Sequence, residues 1–464
     1  MTEKNDKLAS TFTLQNFSST AKLAENEVGK MGSNATITEK DYNPFDHRQV
    51  DHPNSDLGSL IHLLKSSLGT GILAMPMAFK NGGLLFGAIG TLVVGFICTH
   101  CVHILVKCSH ELSSRAKVPS LGFAETAGAA FKYGPEKVKK MSNFVKIFVD
   151  VALVLTYYSG NCVYVVFIAD NLHQVIMYHF PDLDWTPTTV MWITFLPLVL
   201  LCQIRELKYL VPFSMLSNLF IATVLAISMY YMFTEMHDVS DRELFSSVPQ
   251  LPLFFSTVIF AMEGIGVVLP VENTMKTPEH FLGCPGVLNI AMGTVVILYA
   301  ITGFFGYLAY GSLTAASITI NLRVEDIQGQ IAKIFIALAI FFTYSLQFYV
   351  PMDITWKKLL QPRLSEKFYH LGQVLMRTTV VLLTVVVAVV VGNLEHFIGL
   401  VGAVFLSSLG IFVPAVIETV TYWEYDLGKW NWMLVKNVCL ALLSIIALVA
   451  GSYTSILGII NSAH

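Results

Sequence analysis

Charge is scarce in this chain. Asp, Glu, Lys and Arg make up 13% of its 464 residues, while 54% are hydrophobic; soluble proteins carry roughly 25% charged residues. That balance excludes an ordinary soluble domain, and a net charge of −3 offers no basic surface to nucleic acid. Cysteine is sparse as well. The seven residues fall mostly inside apolar runs and form no extracellular disulfide framework. No cleavable signal is expected, because the first 55 residues are polar and the first apolar run continues as a membrane span. Phosphate-binding glycine loops, nucleophile elbows and zinc-protease motifs are absent, and the loops are too short to house a catalytic domain. An enzyme is therefore not expected. The stretch "CTHCVHILVKCSH" (98–110) gathers three Cys and three His, but spreads them around one helix end. A structural zinc site wants four converging ligands, so neither a metal nor another cofactor is expected.

What the chain has is long apolar runs. A bilayer core takes about 20 helical residues, and eleven segments qualify: roughly 57–79, 83–106, 143–169, 188–204, 210–233, 251–271, 285–310, 329–354, 373–392, 395–418 and 431–455. Lipid leaves no partner for an open backbone, so these segments must be helices. Alternate connecting segments carry 18 basic residues on one side and 4 on the other (Lys80, Arg242, Arg323 and Lys333). The positive-inside rule then places the N-terminus in the cytosol and, with an odd number of spans, residues 456–464 on the opposite side. Residues 1–55 read as a disordered cytosolic tail and 56–455 as the membrane domain. In the tail, "YNPF" (42–45) matches a Tyr-x-x-bulky sorting signal, a pattern that is common by chance.

Two spans are interrupted. The first breaks at Gly69-Thr70-Gly71 with Pro76 beyond, and the sixth at Gly264-Ile265-Gly266 with Pro270 beyond. Glycine lets a helix unwind, and proline removes one of its hydrogen bonds. The breaks open two five-span blocks, 57–233 and 251–418, with 431–455 as an extra helix. Charge counting gives the blocks opposite orientations, the pattern of an inverted repeat with a site at the interrupted segments. N–H groups freed at a half-helix start attract a carboxylate, and C=O groups freed at a half-helix end receive an ammonium. An α-amino acid offers both on adjacent atoms. Close packing of helices is the alternative reason for such glycines.

Ionisable residues inside the spans mark function or a buried partner. His62 lies seven residues before Gly69, about 10 Å along the axis and nearly on the same face. An unperturbed histidine titrates near pH 6.5, so it suits a proton carrier as well as a structural hydrogen bond. Glu263, the lone charge of its run, can bind an ammonium, carry a proton or pair with Lys65. Lys65 can instead snorkel to the cytosolic interface. Tyr157, Asn161, Asn218, Tyr344 and Gln347 are weaker candidates for the lining.

"LIHLLKSSLGTGILAMPMAFKNGG" (60–83) resembles the start of the proton-coupled amino acid transporters, within the amino acid/auxin permease superfamily. "IFAMEGIGVVLPVENTMK" (259–276), "NCVYVVFIADN" (161–171) and "HCVHILVKCSHEL" (100–112) are similar to that family's sixth, third and second spans, and "DYNPFDHR" (41–48) to the stretch before the first. The resemblance implies eleven spans in a LeuT-like 5+5 fold and transport of small neutral amino acids, in several members coupled to protons. It implies substrate contacts at Gly69, Thr70, Gly71 and Ile72, and at Phe260, Ala261, Glu263 and Gly264, with His62 linked to proton coupling. Some members pair a third-span cysteine with one after span seven; the segment 311–330 has none, so Cys162 is expected to stay unpaired. Alanine, glycine and proline are the expected size class, because bulky Ile72 and Phe260 flank the breaks. Plasma membrane and lysosomal or endosomal membrane both remain open. A proton-independent facilitator and an amino-acid sensor with little flux are the alternatives.

Overall fold

Hydropathy and backbone hydrogen bonding together leave helices as the only option, and helices are what form. The computed structural model describes residues 42–48, 50, 53–205, 207–262, 264–356, 361–425 and 427–463. In chain order the main helices are α1 (Asp56–Ser67), α2 (Gly71–Gly82), α3 (Leu84–Ala116), α4 (Phe123–Lys132), α5 (Ser142–His179), α6 (Pro187–Cys202), α7 (Leu207–Thr234), α8 (Leu251–Ala261), α9 (Ile265–Asn273), α10 (Val287–Tyr310), α11 (Ile327–Thr355), α12 (Tyr369–Val391), α13 (Leu394–Tyr422) and α14 (Trp432–Ala463). Among the described residues, nine helical runs are long and apolar enough to cross a membrane. The pair α1 and α2 adds one more, bent by 53° at its break, and α6 is a shorter apolar helix of 16 residues.

Local chemistry sets the ends. Ser55 Oγ accepts the Gly58 N–H at 3.1 Å and starts α1. Gly83 ends α2 at φ 88°, and a Cβ there would lie 2.6 Å from Phe245 Cα. Both the backbone angle and the close approach require glycine.

Helices α2 and α8 form the centre. Every residue of α2 except Lys80 is buried, and 71% of the apolar window spanning α8 and α9 is buried, against 22% for α14. The outer helices α12 and α14 turn apolar side chains to lipid. Helix α10 lies on α2 through Gly303 and Gly306, which meet Phe79 and Pro76. Helix α13 contains two wide π turns, Gly402–Leu406 and Ser408–Phe412, opposite the end of α8. Such turns often mark functional sites.

Two features differ from the sequence reading. The basic segment between the second and third spans contains α4, which buries Phe123, Ala127, Ala130 and Phe131. At 10 residues it is too short to register in a count of membrane-length apolar runs. The tail also does not end at residue 55 in structural terms. Residues 42–48 form a strap on the bundle, with Tyr42 buried, its ring stacked on His47, and Phe45 edge-on to His110. The "YNPF" residues are thus used in packing. Arg48 explains why the strap holds: its guanidinium bonds Glu272 Oε1 at 2.9 Å and Pro119 O at 3.0 Å, while His110 meets the same Glu272 oxygen at 2.8 Å. Asn54 then bridges to Thr274 and Met275, joining the approach to α1 with the end of α9.

Candidate functional site

The two interruptions sit against each other. A Cβ placed on Gly71 would lie 2.7 Å from Ala261 Cα and 2.9 Å from Ala261 O, so the start of α2 touches the end of α8 backbone to backbone. Gly69 is the opposite case: a Cβ added there would meet nothing within 4 Å. That open space is a cavity of about 230 Å³. It is lined by His62 and Lys65 of α1, by Gly69 in the break that follows, by Gly264–Val267 around the start of α9, and by Tyr157 and Tyr164 of α5. Asn218 of α7, Gln347 of α11, and Leu406 and Leu409 of the α13 π turns also contribute to the wall. Pockets for drug-sized ligands measure roughly 300–1,000 Å³, so this space suits a smaller molecule.

The cavity occupies one half of the bundle. Its residues come from the last half of α1, the last half of α11 and from α9. The other half is closed. Ile72, Phe260 and Ala261 are each 2% exposed, and Lys80 Nζ to Thr314 O (2.9 Å) and Asn81 to Glu395 (3.1 Å) tie the far end.

Four half-helix ends meet at the break. Helices α2 and α9 begin there, and neither start has a side-chain cap among the described residues. Uncapped starts present N–H groups and positive potential. Helices α1 and α8 end there and present carbonyls. The hydroxyl of Tyr299, fully buried on α10, donates toward both of those ends, Ser67 O and Ala261 O, the latter at 2.9 Å.

Of the residues singled out from the sequence, Gly69, Gly264 and His62 line the cavity. Thr70, Gly71, Ile72, Phe260 and Ala261 lie behind it, buried in the contact between the two breaks. Glu263 lies outside the described residues. Lys65 faces the cavity and donates to Ser214 Oγ of α7 at 2.8 Å rather than extending along its own helix. Tyr157, Asn218 and Gln347 join the lining, while Tyr344 is fully buried and bonded to Thr384. Two further tyrosines belong to the site: Tyr164, which accepts Gln347 Nε2 at 2.9 Å, and Tyr299. Tyrosines are frequent in these spans, and no local sequence pattern separates these two from the others.

The family model described as "Transmembrane amino acid transporter protein" matches residues 52–457. The chain belongs to that family of membrane transporters. A Drosophila melanogaster relative, "Proton-coupled amino acid transporter-like protein pathetic", is 42% identical over 440 residues, covering 93% of this chain and 91% of the relative. "Probable amino acid transporter skat-1" of Caenorhabditis elegans is 26% identical over 426 residues, 87% and 90% of the two chains. Among solved structures, MhsT in complex with L-phenylalanine aligns at TM-score 0.49 with 17% identity, covering 86% of this chain and 98% of that one. Closed Mhp1 with bound bromovinylhydantoin aligns at TM-score 0.45 with 15% identity, covering 92% and 95%. This family member is accordingly an integral membrane protein that transports amino acids, and it is not an enzyme.

Proposed function

We propose that this transporter moves small neutral amino acids of the alanine, glycine and proline class together with protons, by alternating access across eleven spans arranged as an inverted repeat. The observation that carries the reading is one small cavity lined by both interrupted spans and by His62. The uncapped starts of α2 and α9 suit a carboxylate, and the carbonyl ends of α1 and α8 suit an ammonium on the neighbouring atom. The volume of about 230 Å³ favours small side chains. The far half is sealed while the cavity half is open, as one of two alternating states requires. His62 carries the proton in this scheme, because its protonation alters the charge on α1 beside Lys65. The Lys/Arg distribution supports a cytosolic N-terminus, and with it a cavity that faces the cytosol. Substrate and proton then enter from an acidic exterior or lumen, at the plasma membrane or at a lysosomal or endosomal membrane.

Labelled alanine, proline and glycine uptake into vesicles, with and without an imposed pH gradient, tests this. Wild type should accumulate substrate when the proton gradient drives it. His62→Ala should lose accumulation and keep exchange. Saturable uptake indifferent to the gradient in both proteins would leave a facilitator, and binding without flux would leave a sensor.

A further inference from the structure

The cavity wall holds an acceptor with nothing to accept. Gln347 of α11 lines the cavity, and its Nε2 donates to the Tyr164 hydroxyl at 2.9 Å. That bond fixes which way the amide faces. The other amide atom, Oε1, is buried and has no hydrogen-bond partner among the described residues. A buried acceptor left in that state is costly, and inside a membrane such a cost is usually tied to function.

The adjoining helix leaves space beside that oxygen. Gly160 of α5 faces it: a Cβ added there would lie 3.5 Å from Gln347 Oε1, and among the described residues no other atom of a neighbouring helix comes within 4 Å. Asn161, the next residue on α5, does not fill the need. It is fully buried, and neither of its amide atoms has a partner among the described residues. The space thus adjoins an unpaired acceptor, and a small donor carried by a ligand would satisfy it.

We infer that Gln347 determines specificity: its Oε1 receives a hydroxyl carried on the substrate side chain, so that the transporter prefers serine to alanine. This rests on the amino-acid reading given above. In that reading the carboxylate and the ammonium turn to the two breaks, which reach the cavity at Gly69 and Gly264. The side chain on the same carbon is then left to the rest of the wall, where Tyr164 and Gln347 stand. Serine adds a single hydroxyl to alanine and still suits a cavity of about 230 Å³. Its hydroxyl hydrogen goes to Oε1, whereas alanine leaves that oxygen unpaired.

Competition for labelled-alanine binding to purified protein tests this, with unlabelled alanine, serine and α-aminobutyrate as competitors. The last has a methyl group where serine has its hydroxyl, so it matches the size and lacks the donor. Wild type should take serine about tenfold more tightly than either, the scale of one hydrogen bond to a buried acceptor otherwise unpaired. Gln347→Met keeps the length of the side chain and removes the acceptor, and should bring serine and alanine to nearly equal affinity. A Gln347→Met protein that weakens both by the same factor would keep the preference and overturn the inference, because the amide would then serve a group that both amino acids share. If Gln347→Met does not fold, Gly160→Ala decides: its methyl fills the space beside Oε1 at ordinary contact distance and should also cost serine its advantage. Wild type that binds alanine with no preference for serine would refute the role of Gln347 alone. Wild type that binds neither would overturn the amino-acid reading itself, and the role of Gln347 with it.

Discussion

Two glycines two residues apart should respond in opposite ways to the same added methyl group. At Gly71 the new Cβ would fall 2.7 Å from Ala261 Cα and 3.2 Å from Ala261 Cβ. Carbon atoms prefer about 3.5–4.0 Å, so α2 and α8 must part by about 1 Å. Both helices are buried on nearly every side, and neither has room to move. Overpacking of this kind costs about 1–3 kcal/mol. At Gly69 nothing lies within 4 Å and the backbone is not left-handed, so alanine fits without strain. A compatible Gly→Ala change is neutral or stabilises by about 0.4–1 kcal/mol. Its methyl does, however, occupy part of a cavity of only about 230 Å³. Thermal unfolding of both purified variants, paired with alanine uptake, separates the effects. Gly71→Ala should melt a few degrees lower, and Gly69→Ala should melt with wild type while its apparent affinity for alanine falls. Larger residues at 69 should abolish uptake in a protein that still folds. Wild-type melting of Gly71→Ala, or full uptake by Gly69→Phe, would refute this account of the break.

Other outcomes follow from the same geometry. Glu272 is fully buried and shared by Arg48 and His110, so Glu272→Gln should cost about 3–5 kcal/mol. It should also speed limited proteolysis near residue 48, whereas unchanged cleavage would argue against the strap. Lys333, buried on α11, donates to Gln174 Oε1 and Thr319 O, each at 2.6 Å. Lys333→Met should lose about 1–3 kcal/mol for the acceptors left unpaired, measured as a lower melting temperature. Gly266→Ala sets a Cβ 2.8 Å from the Tyr157 hydroxyl, and should slow transport with little change in folded yield. His62→Ala should abolish accumulation driven by a pH gradient and preserve exchange.

Much of the architecture is open to counting. The apolar window 285–310 corresponds to Val287–Tyr310, 329–354 to Ile327–Thr355, and 373–392 to Tyr369–Val391. The break at Gly69-Thr70-Gly71 is a 53° bend. Helix α3 runs ten residues past its window, to Ala116, because a helix continues into water wherever its polar face finds partners such as Glu111 for Arg115. The short helix α4 escapes such counting because its 10 residues fall well short of the roughly 20 that a span needs. The strap escapes it because Arg48 finds its carboxylate far along the chain; Glu272 is 224 residues away in sequence.

The candidate site divides along the same line. Hydropathy, proline and glycine are properties of neighbouring residues, and lipid forces each apolar segment to satisfy its own backbone, so spans and breaks are readable from the chain alone. His62 and the paired glycines belong to that readable part. Which side chains meet across the break is a different matter. Tyr299 and Ser67 are separated by 232 positions and come together only because Gly303 and Gly306 let α10 settle on α2. Tyr164 and Gln347 are separated by 183 and meet only through the packing of α5 against α11. Sequence by itself determined that this chain crosses a membrane and interrupts two of its helices. Tertiary packing decided which groups face the interruption, because close packing depends on the shapes of both partners and no single segment holds both.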